Sequence, residues 1–466
     1  MIRFEEIIEG RCSPQQAFGY LAEFANIQAW DPTVLSARAL TPGPARVGSR
    51  FRLLLHSGLR PVRMHYTLVE MQPLGRLVFD GRGDTFRALD RITIVPTARG
   101  CRLSYTVAVD FDDPAGRRLG ALAAPLLRYN IRRAGKRLQT ILGGDGPLPR
   151  LSRGTRLADR LVFPGLIGFT CFGYRSGNKR WPLPPRPLEG RRVVLTGGTS
   201  GIGRAAADQL LACGAHLIIV GRHPEKTAAV CRQLSNRWGA EAVDHEIADL
   251  SLMSDIRALA PRLQDRYPAI HILVNNAGAL FNAREETAEG FEKTLAINLL
   301  GPYLLTRSVL PLLRQEPDAR IINVSSGGMY TQKIRPEDLQ HRQSAYDGTT
   351  AYARAKRGLV ILTELWAAEL APHAISVQAM HPGWVDTPGL QASLPTFYRY
   401  LRPLLRTPAQ GADTITWLAA SPVAGRTSGL FWLDRKPRTV HVLPGTRETP
   451  AERRALLAAL DRMAGD

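Results

Sequence analysis

The chain has 466 residues, 44% of them hydrophobic and 22% charged, with a formal net charge of +20. That is room for two or three globular domains of ordinary composition, and it excludes a collagen-like or disordered chain. The five cysteines are odd in number and form no close pairs, which argues against a disulfide framework or a zinc site and fits a reducing compartment.

The opening MIRFEEIIEG has no apolar stretch behind a basic head, so a cytoplasmic location is expected. The charge is unevenly spread. Residues 191–466 carry 32 basic and 26 acidic side chains, whereas 117–186 carry 15 and 2. A nucleic-acid partner is therefore not expected. The basic stretch is a candidate for peripheral contact with an anionic membrane surface, with a solvated basic face as the alternative. Only 7 of the 61 basic residues are lysine, so each lysine is more informative than an arginine.

Residues 1–145 read as α+β. A strand (RFEEIIEG) leads into a helix-like stretch beginning at Ser13-Pro14, a favourable helix start. Alternating segments at 49–58, 61–71, 75–80, 88–96 and 101–111 predict an antiparallel sheet. A closing amphipathic helix over roughly 115–142 carries Leu119, Leu122, Leu126, Ile131, Leu138 and Ile141 as its apolar stripe.

Residues 146–190 form a basic, proline-rich connector. Inside it, LVFPGLIGFTCFGY (161–174) is too short to span a bilayer and is expected to pack against a domain or dip into a membrane interface. From 191 to 445, RRVVLT, HLIIVG, EAVDHEIA, IHILVNNAG, RIINVSS and AISVQAMHPG alternate with helical stretches. That predicts an α/β unit with a doubly wound, Rossmann-like parallel sheet. Residues 446–466 complete the chain as a helical tail.

The run Thr196-Gly197-Gly198-Thr199-Ser200-Gly201-Ile202-Gly203 follows the first of these strands and opens a helix, the context in which a dinucleotide's pyrophosphate binds. The acid that favours NAD at the end of the second strand is missing. Arg222 stands there instead and could fork onto a 2′-phosphate, so NADP(H) is favoured over NAD(H). Tyr352 and Lys356, at i and i+4, share one helix face. An ammonium about 4 Å from the phenol, at an effective dielectric near 20, would stabilise the phenolate by roughly 4 kcal/mol, which net of desolvation could bring it near working pH.

Together with Asn275-Asn276-Ala277-Gly278, Asn298, Ser326 and the run His381-Pro382-Gly383-Trp384-Val385-Asp386-Thr387, these features resemble the short-chain dehydrogenase/reductase family over about 190–445. Gly348-Thr349-Thr350-Ala351-Tyr352 and Ser428-Gly429-Leu430-Phe431 are similar to an orphan branch of it. The resemblance implies that Ser326 binds the substrate carbonyl and that Asn298 joins a proton relay to Lys356. It also implies that Asp249 and Leu250 contact the adenine, that Asn276, Ala277 and Gly278 line the cofactor, and that Val385 and Thr387 hold the carboxamide. In this family residues 388–406 would form a substrate lid, here apolar, and paired subunits are common, so a homodimer is the default.

The first 145 residues resemble the START-like polyketide cyclase/dehydrase superfamily, a helix-grip fold, in element order and in the Ala29-Trp30-Asp31-Pro32 corner. The expected function is an oxidoreductase acting on a lipophilic carbonyl or alcohol behind a hydrophobic-ligand-binding domain. The rivals are a lipid-transfer protein with a nucleotide sensor and a bifunctional cyclase-reductase. The tetrad opposes the first rival, and the lack of a clear acid/base pair in 1–145 weakens the second.

Overall fold

A computed structural model describes residues 2–10, 12–57, 60–98, 100–112, 114–143, 168–177, 186–343 and 345–465. They form two compact units, each with its own core. Most of the basic connector, including 161–167, lies outside the described residues.

In the first unit, β1 (Ile2–Gly10), β2 (Val34–Ala39), β3 (Arg50–Ser57), β4 (Arg60–Gln72), β5 (Arg76–Arg82), β6 (Phe86–Thr97) and β7 (Gly100–Phe111) form one antiparallel sheet, ordered β1-β7-β6-β5-β4-β3-β2. α1 (Pro14–Ala22) starts at Ser13, whose hydroxyl accepts the Gln16 amide while the Gln16 side chain caps back. The single helix expected there is broken after Ala22 by a 3-10 turn at Phe24–Asn26, before α2 (Ile27–Trp30). The break turns Phe24 inward to stack on Phe79 at 4.0 Å, and such aromatic packing outweighs helix continuity.

α3 (Pro114–Ile141) lies across β1 and β7. Ala134, Leu138 and Ile141 are buried and Ile131 is partly so, but Leu126 is 63% exposed and does not belong to the core stripe. Burial sets in only near Ala134, so the apolar period outruns the surface it packs on. The side chains of Leu119 and Leu122 lie outside the described residues. One pairing was invisible in sequence. The β6–β7 register puts buried Asp90 beside Tyr105, whose hydroxyl donates to it. Burial pushes Asp90 up to about 7.

The second unit opens with α4 (Cys171–Gly177) and then alternates β8 (Arg192–Thr196), α5 (Gly201–Ala212), β9 (His216–Gly221), α6 (Pro224–Trp238), β10 (Val243–Ile247), α7 (Met253–Arg266), β11 (Ile272–Asn275), α8 (Lys293–Leu313), β12 (Arg320–Val324), α9 (Gly348–Glu369) and β13 (Ser376–Met380). α10 (Pro388–Ser393), α11 (Pro395–Leu401), α12 (Pro408–Ala420), β14 (Leu430–Leu433), β15 (Lys436–Arg438) and α13 (Pro450–Ala464) complete it. The sheet order is β10-β9-β8-β11-β12-β13-β14-β15, parallel except for the last pair.

The sheet's order reverses between β8 and β11, the position where doubly wound sheets hold ligands. α8 is long and apolar enough to cross a bilayer, but 78% of its apolar window is buried inside the protein. α13, expected as a tail, sinks Leu456 and Leu460 into the main core.

Candidate active site

Two contiguous cavities occupy the carboxyl ends of the strands: a groove of about 340 Å³ and a pocket of about 610 Å³, which share Gly278 and Thr387. The groove takes its shape from the glycine loop. Gly197 and Gly201 have φ of +68° and +51°, the left-handed region that glycine tolerates. A Cβ on Gly203 would come within 2.1 Å of the Gly197 carbonyl oxygen, so only glycine lets α5 start this close to β8. Ser200 precedes α5 without a side-chain cap, which leaves the first-turn amides to the groove, an arrangement suited to a pyrophosphate.

The opposite wall is braced by Thr196. Its hydroxyl accepts the amides of Asn276 and Ala277 at 2.9 Å each, while the Asn276 side chain donates to the carbonyls of Thr196 (2.8 Å) and Gly197 (3.3 Å). A Cβ on Gly197 would meet the Ala277 Cα at 2.9 Å. The result is a narrow backbone cradle that fits a dinucleotide.

Gly197, Thr199, Ser200, Gly201, Ile202, Gly203, Arg222, Asp249, Leu250, Asn276, Ala277, Gly278 and Thr387 all line the groove. Val385, Tyr352 and Lys356 line the pocket instead. Asp249 is the one acid among the described groove residues, and its carboxylate accepts the Ser251 amide (2.9 Å) and hydroxyl (2.7 Å). Beside Arg222 stand His223 and Lys226. Lys226 was missed in the sequence, although its place one turn after Arg222, in a chain so poor in lysine, was a usable signal.

In the pocket, the Ser326 hydroxyl accepts the Gly328 amide at 3.3 Å and lines the same wall as the Tyr352 phenol. Ser325 turns the other way and donates to the Lys356 carbonyl at 3.0 Å, which separates the two adjacent serines by role. Lys356 Nζ donates to the Val324 carbonyl at 2.9 Å. Asn298 sits in a π-turn of α8 (Ala296–Leu300), a distortion frequent at functional sites. Its Nδ2 donates to Ala279 (2.7 Å) and Thr294 (2.8 Å), while its buried Oδ1 has no protein partner. Gly278 ties the group together: a Cβ there would lie 2.7 Å from Asn298 Oδ1 and 3.0 Å from Lys356 Nζ.

The electrostatics differ from the expected scheme of a phenol acidified by an adjacent ammonium. Lys356 Nζ lies 5.6 Å from the Tyr352 ring centroid. Burial pushes the lysine down to about 7 and the tyrosine up to about 12, the neighbouring Ser326 hydroxyl opposing the latter. Desolvation penalises both charged forms and outweighs their attraction. The phenol therefore stays protonated at neutral pH, which suits a proton donor.

The apolar wall comes from Trp384 and from Leu390, Leu394 and Phe397 of the 388–406 segment. That segment is not uniformly pocket-facing: Tyr400 is exposed, whereas Leu405 and Arg406 are buried.

A doubly wound sheet, a glycine cradle at the order reversal and a Ser-Tyr-Lys cluster beside it define a nucleotide-dependent oxidoreductase, and the chain belongs to the short-chain dehydrogenase/reductase family. Residues 191–396 match the short chain dehydrogenase model, and residues 1–143 match that described as polyketide cyclase / dehydrase and lipid transport. The chain is 41% identical over 306 residues to Dehydrogenase/reductase SDR family member 12 of Bos taurus, covering 64% of this chain and 95% of that protein. It is 32% identical over 280 residues to Retinol dehydrogenase 14 of Mus musculus (57% and 84%). It is also 31% identical over 282 residues to Polyprenol dehydrogenase of Homo sapiens (58% and 84%).

Proposed function

We propose that this chain is an NADP(H)-dependent oxidoreductase that interconverts a lipophilic carbonyl compound and its alcohol. The reading is carried by Ser326 and Tyr352, which line one apolar pocket continuous with the dinucleotide groove, with buried Lys356 one helical turn from the tyrosine. When bound, the nicotinamide supplies or accepts the hydride. The loop 197–203 would hold the pyrophosphate, and Asp249 and Leu250 the adenine side. Arg222 and Lys226 would hold the 2′-phosphate, and Asn276–Gly278, Val385, Thr387, Tyr352 and Lys356 the nicotinamide end.

In reduction, Ser326 orients the carbonyl oxygen and Tyr352 donates its proton as that oxygen gains negative charge. The Lys356 ammonium returns a proton to the phenol, and Asn298, on the other side of Gly278, would orient the water through which the lysine is reprotonated. Trp384, Leu394 and Phe397 keep water out and favour an apolar substrate. Two relatives, a retinol and a polyprenol dehydrogenase by name, support that substrate class. The N-terminal unit would hold the lipophilic ligand.

The test is turnover of a panel of lipophilic ketones and aldehydes with NADPH and with NADH. NADPH should be preferred, and Arg222→Ala should weaken its binding by roughly 2–3 kcal/mol while NADH binding changes little. A wild type preferring NADH overturns the cofactor assignment.

Peripheral membrane contact is part of the same reading. α3 carries seven cationic residues and no acid, and presents Leu126 and Tyr129 to solvent at 63% and 60% exposure. Apolar side chains among cations on an exposed face suit an anionic bilayer, to which each basic residue near the surface contributes about 1 kcal/mol.

A further inference from the structure

We infer that the segment 168–174, upstream of the first Rossmann strand, is the back wall of the substrate pocket, with Phe169 as a specificity-determining residue and Arg406 as the positioning residue that holds it. The inference rests on the carbonyl-reductase reading of that pocket. Phe169 is 5% exposed although it precedes β8 by more than twenty positions. Its ring meets the edge of His381 at 4.2 Å and of Trp384 at 5.8 Å, and both of those residues line the pocket. Trp384 in turn meets Phe397 of α11 at 5.2 Å. An aromatic row thus runs from the segment, through the wall, to the apolar helices over the pocket.

The backbone fixes this row. The Trp384 amide donates to the Phe169 carbonyl at 2.8 Å, and the Trp384 carbonyl accepts the Arg406 amide at 2.7 Å. The Arg406 side chain, 1% exposed, gathers the segment's carbonyls: Nε donates to Phe169 and Thr170 at 3.1 Å each, and Nη2 to Gly168 at 2.6 Å. Its charge is matched by a two-point pair with buried Asp434 at 2.6 and 2.9 Å. A buried guanidinium that spends three bonds on one short segment and two on its counter-ion is a clamp, and its planar fork is what lysine cannot reproduce.

Two glycines make room for it. A Cβ on Gly383 would come within 2.2 Å of Arg406 Nε, and one on Gly327 within 2.6 Å of the Phe169 ring and 2.9 Å of His381 Nε2. Gly327 directly follows Ser326, so the Phe169 ring is packed one residue from the proposed carbonyl-binding hydroxyl. Shortening Phe169 deepens the pocket behind His381 and Trp384 and leaves the dinucleotide groove untouched.

The experiment compares wild type, Phe169→Ala, Phe169→Leu and Arg406→Lys in the full chain with 2-dodecanone and the bulkier bicyclic trans-1-decalone. Turnover is followed with NADPH, and ketone binding by calorimetry with NADP⁺ present. Phe169→Ala should move the kcat/KM ratio between the two ketones toward decalone by ~10-fold or more, chiefly through KM, because one methylene in an apolar pocket is worth ~10–200-fold. The Kd for NADPH should stay within ~2-fold, and Phe169→Leu should restore most of the wild-type ratio. Arg406→Lys should reproduce the KM change and remove hydrogen-exchange protection at the Trp384 amide.

Unchanged ratios and affinities in folded Phe169→Ala overturn the inference while leaving the reductase reading intact. If wild type binds both ketones without reducing them and Phe169→Ala still shifts their relative affinity, the inference stands and the reductase reading falls. If wild type binds neither ketone, both fall. Should Phe169→Ala not fold, Phe169→Leu and Phe169→Trp read the same ratio in opposite directions, and equal ratios in those two also overturn it.

Discussion

Gly278→Ala adds one methyl group at the point where the proposed relay converges. The new Cβ would sit 2.7 Å from Asn298 Oδ1 and 3.0 Å from Lys356 Nζ. Neither neighbour can yield freely. Asn298 Nδ2 is held by two carbonyls at 2.7 and 2.8 Å, and Lys356 Nζ is held by Val324 at 2.9 Å. The φ of Gly278 is not in the left-handed region, so backbone strain plays no part and the effect is steric.

Overpacking of this kind costs about 1–3 kcal/mol, which for a unit of this size lowers Tm by roughly 2–12 °C. A displacement of about 1 Å at a reacting group costs on the order of 100-fold in rate. Turnover of the best carbonyl substrate should therefore fall by roughly 10–100-fold while the protein stays folded at 25 °C. The measurements are steady-state kinetics at saturating NADPH and a thermal melt. A variant with wild-type kcat and the predicted Tm loss would show that Asn298 and Lys356 can shift without consequence, and would refute the relay.

Two further outcomes concern the first unit. Burial holds Asp90 at about 7 instead of 3.8, so the folded unit keeps a proton that the unfolded chain releases near pH 4. Its contribution is full below about pH 4 and is lost as pH rises to about 7, a decline of at most about 4 kcal/mol. Asp90→Asn should flatten that slope, read by hydrogen exchange at β6 and β7 amides of the full chain between pH 5 and 8; an unaltered slope contradicts burial as its cause. Liposome flotation should show the full chain binding vesicles rich in phosphatidylserine at low salt and releasing above about 0.3 M, where charges are screened within several ångström. Leu126→Glu with Tyr129→Glu should abolish it, and binding that ignores both changes removes α3 from the membrane account.

The parts of the site that could be read in the sequence are those written in local spacing. The glycine loop, the Tyr352–Lys356 turn and the six buried strands each announce themselves within a dozen residues, because strand and helix periods and turn chemistry act over that range. The parts that escaped depend on contacts between distant positions. Phe169 and Arg406 are separated by 237 positions and meet only in the folded unit. Asp90 and Tyr105 share a face only once the β6–β7 register is set.

Leu126 carries the right helical phase for burial but is exposed, because the helix is buried only from about Ala134 onward. The proton affinities of Tyr352 and Lys356 turned on desolvation, whose size is a property of the folded surroundings that the spacing of the two residues does not carry. β14 and β15, four and three residues long, are too short for a periodic signal.

Single-turnover kinetics of Tyr352→Phe test most directly the proposed transfer of a proton from Tyr352 during carbonyl reduction. The substitution removes only the phenolic oxygen, from a half-buried residue that lines the pocket. With saturating NADPH and the best lipophilic ketone of the panel, the rate of NADPH oxidation should fall by at least about 100-fold. NADPH affinity should remain close to that of the wild type. Equal single-turnover rates in the two proteins would contradict the assignment, whatever the substrate.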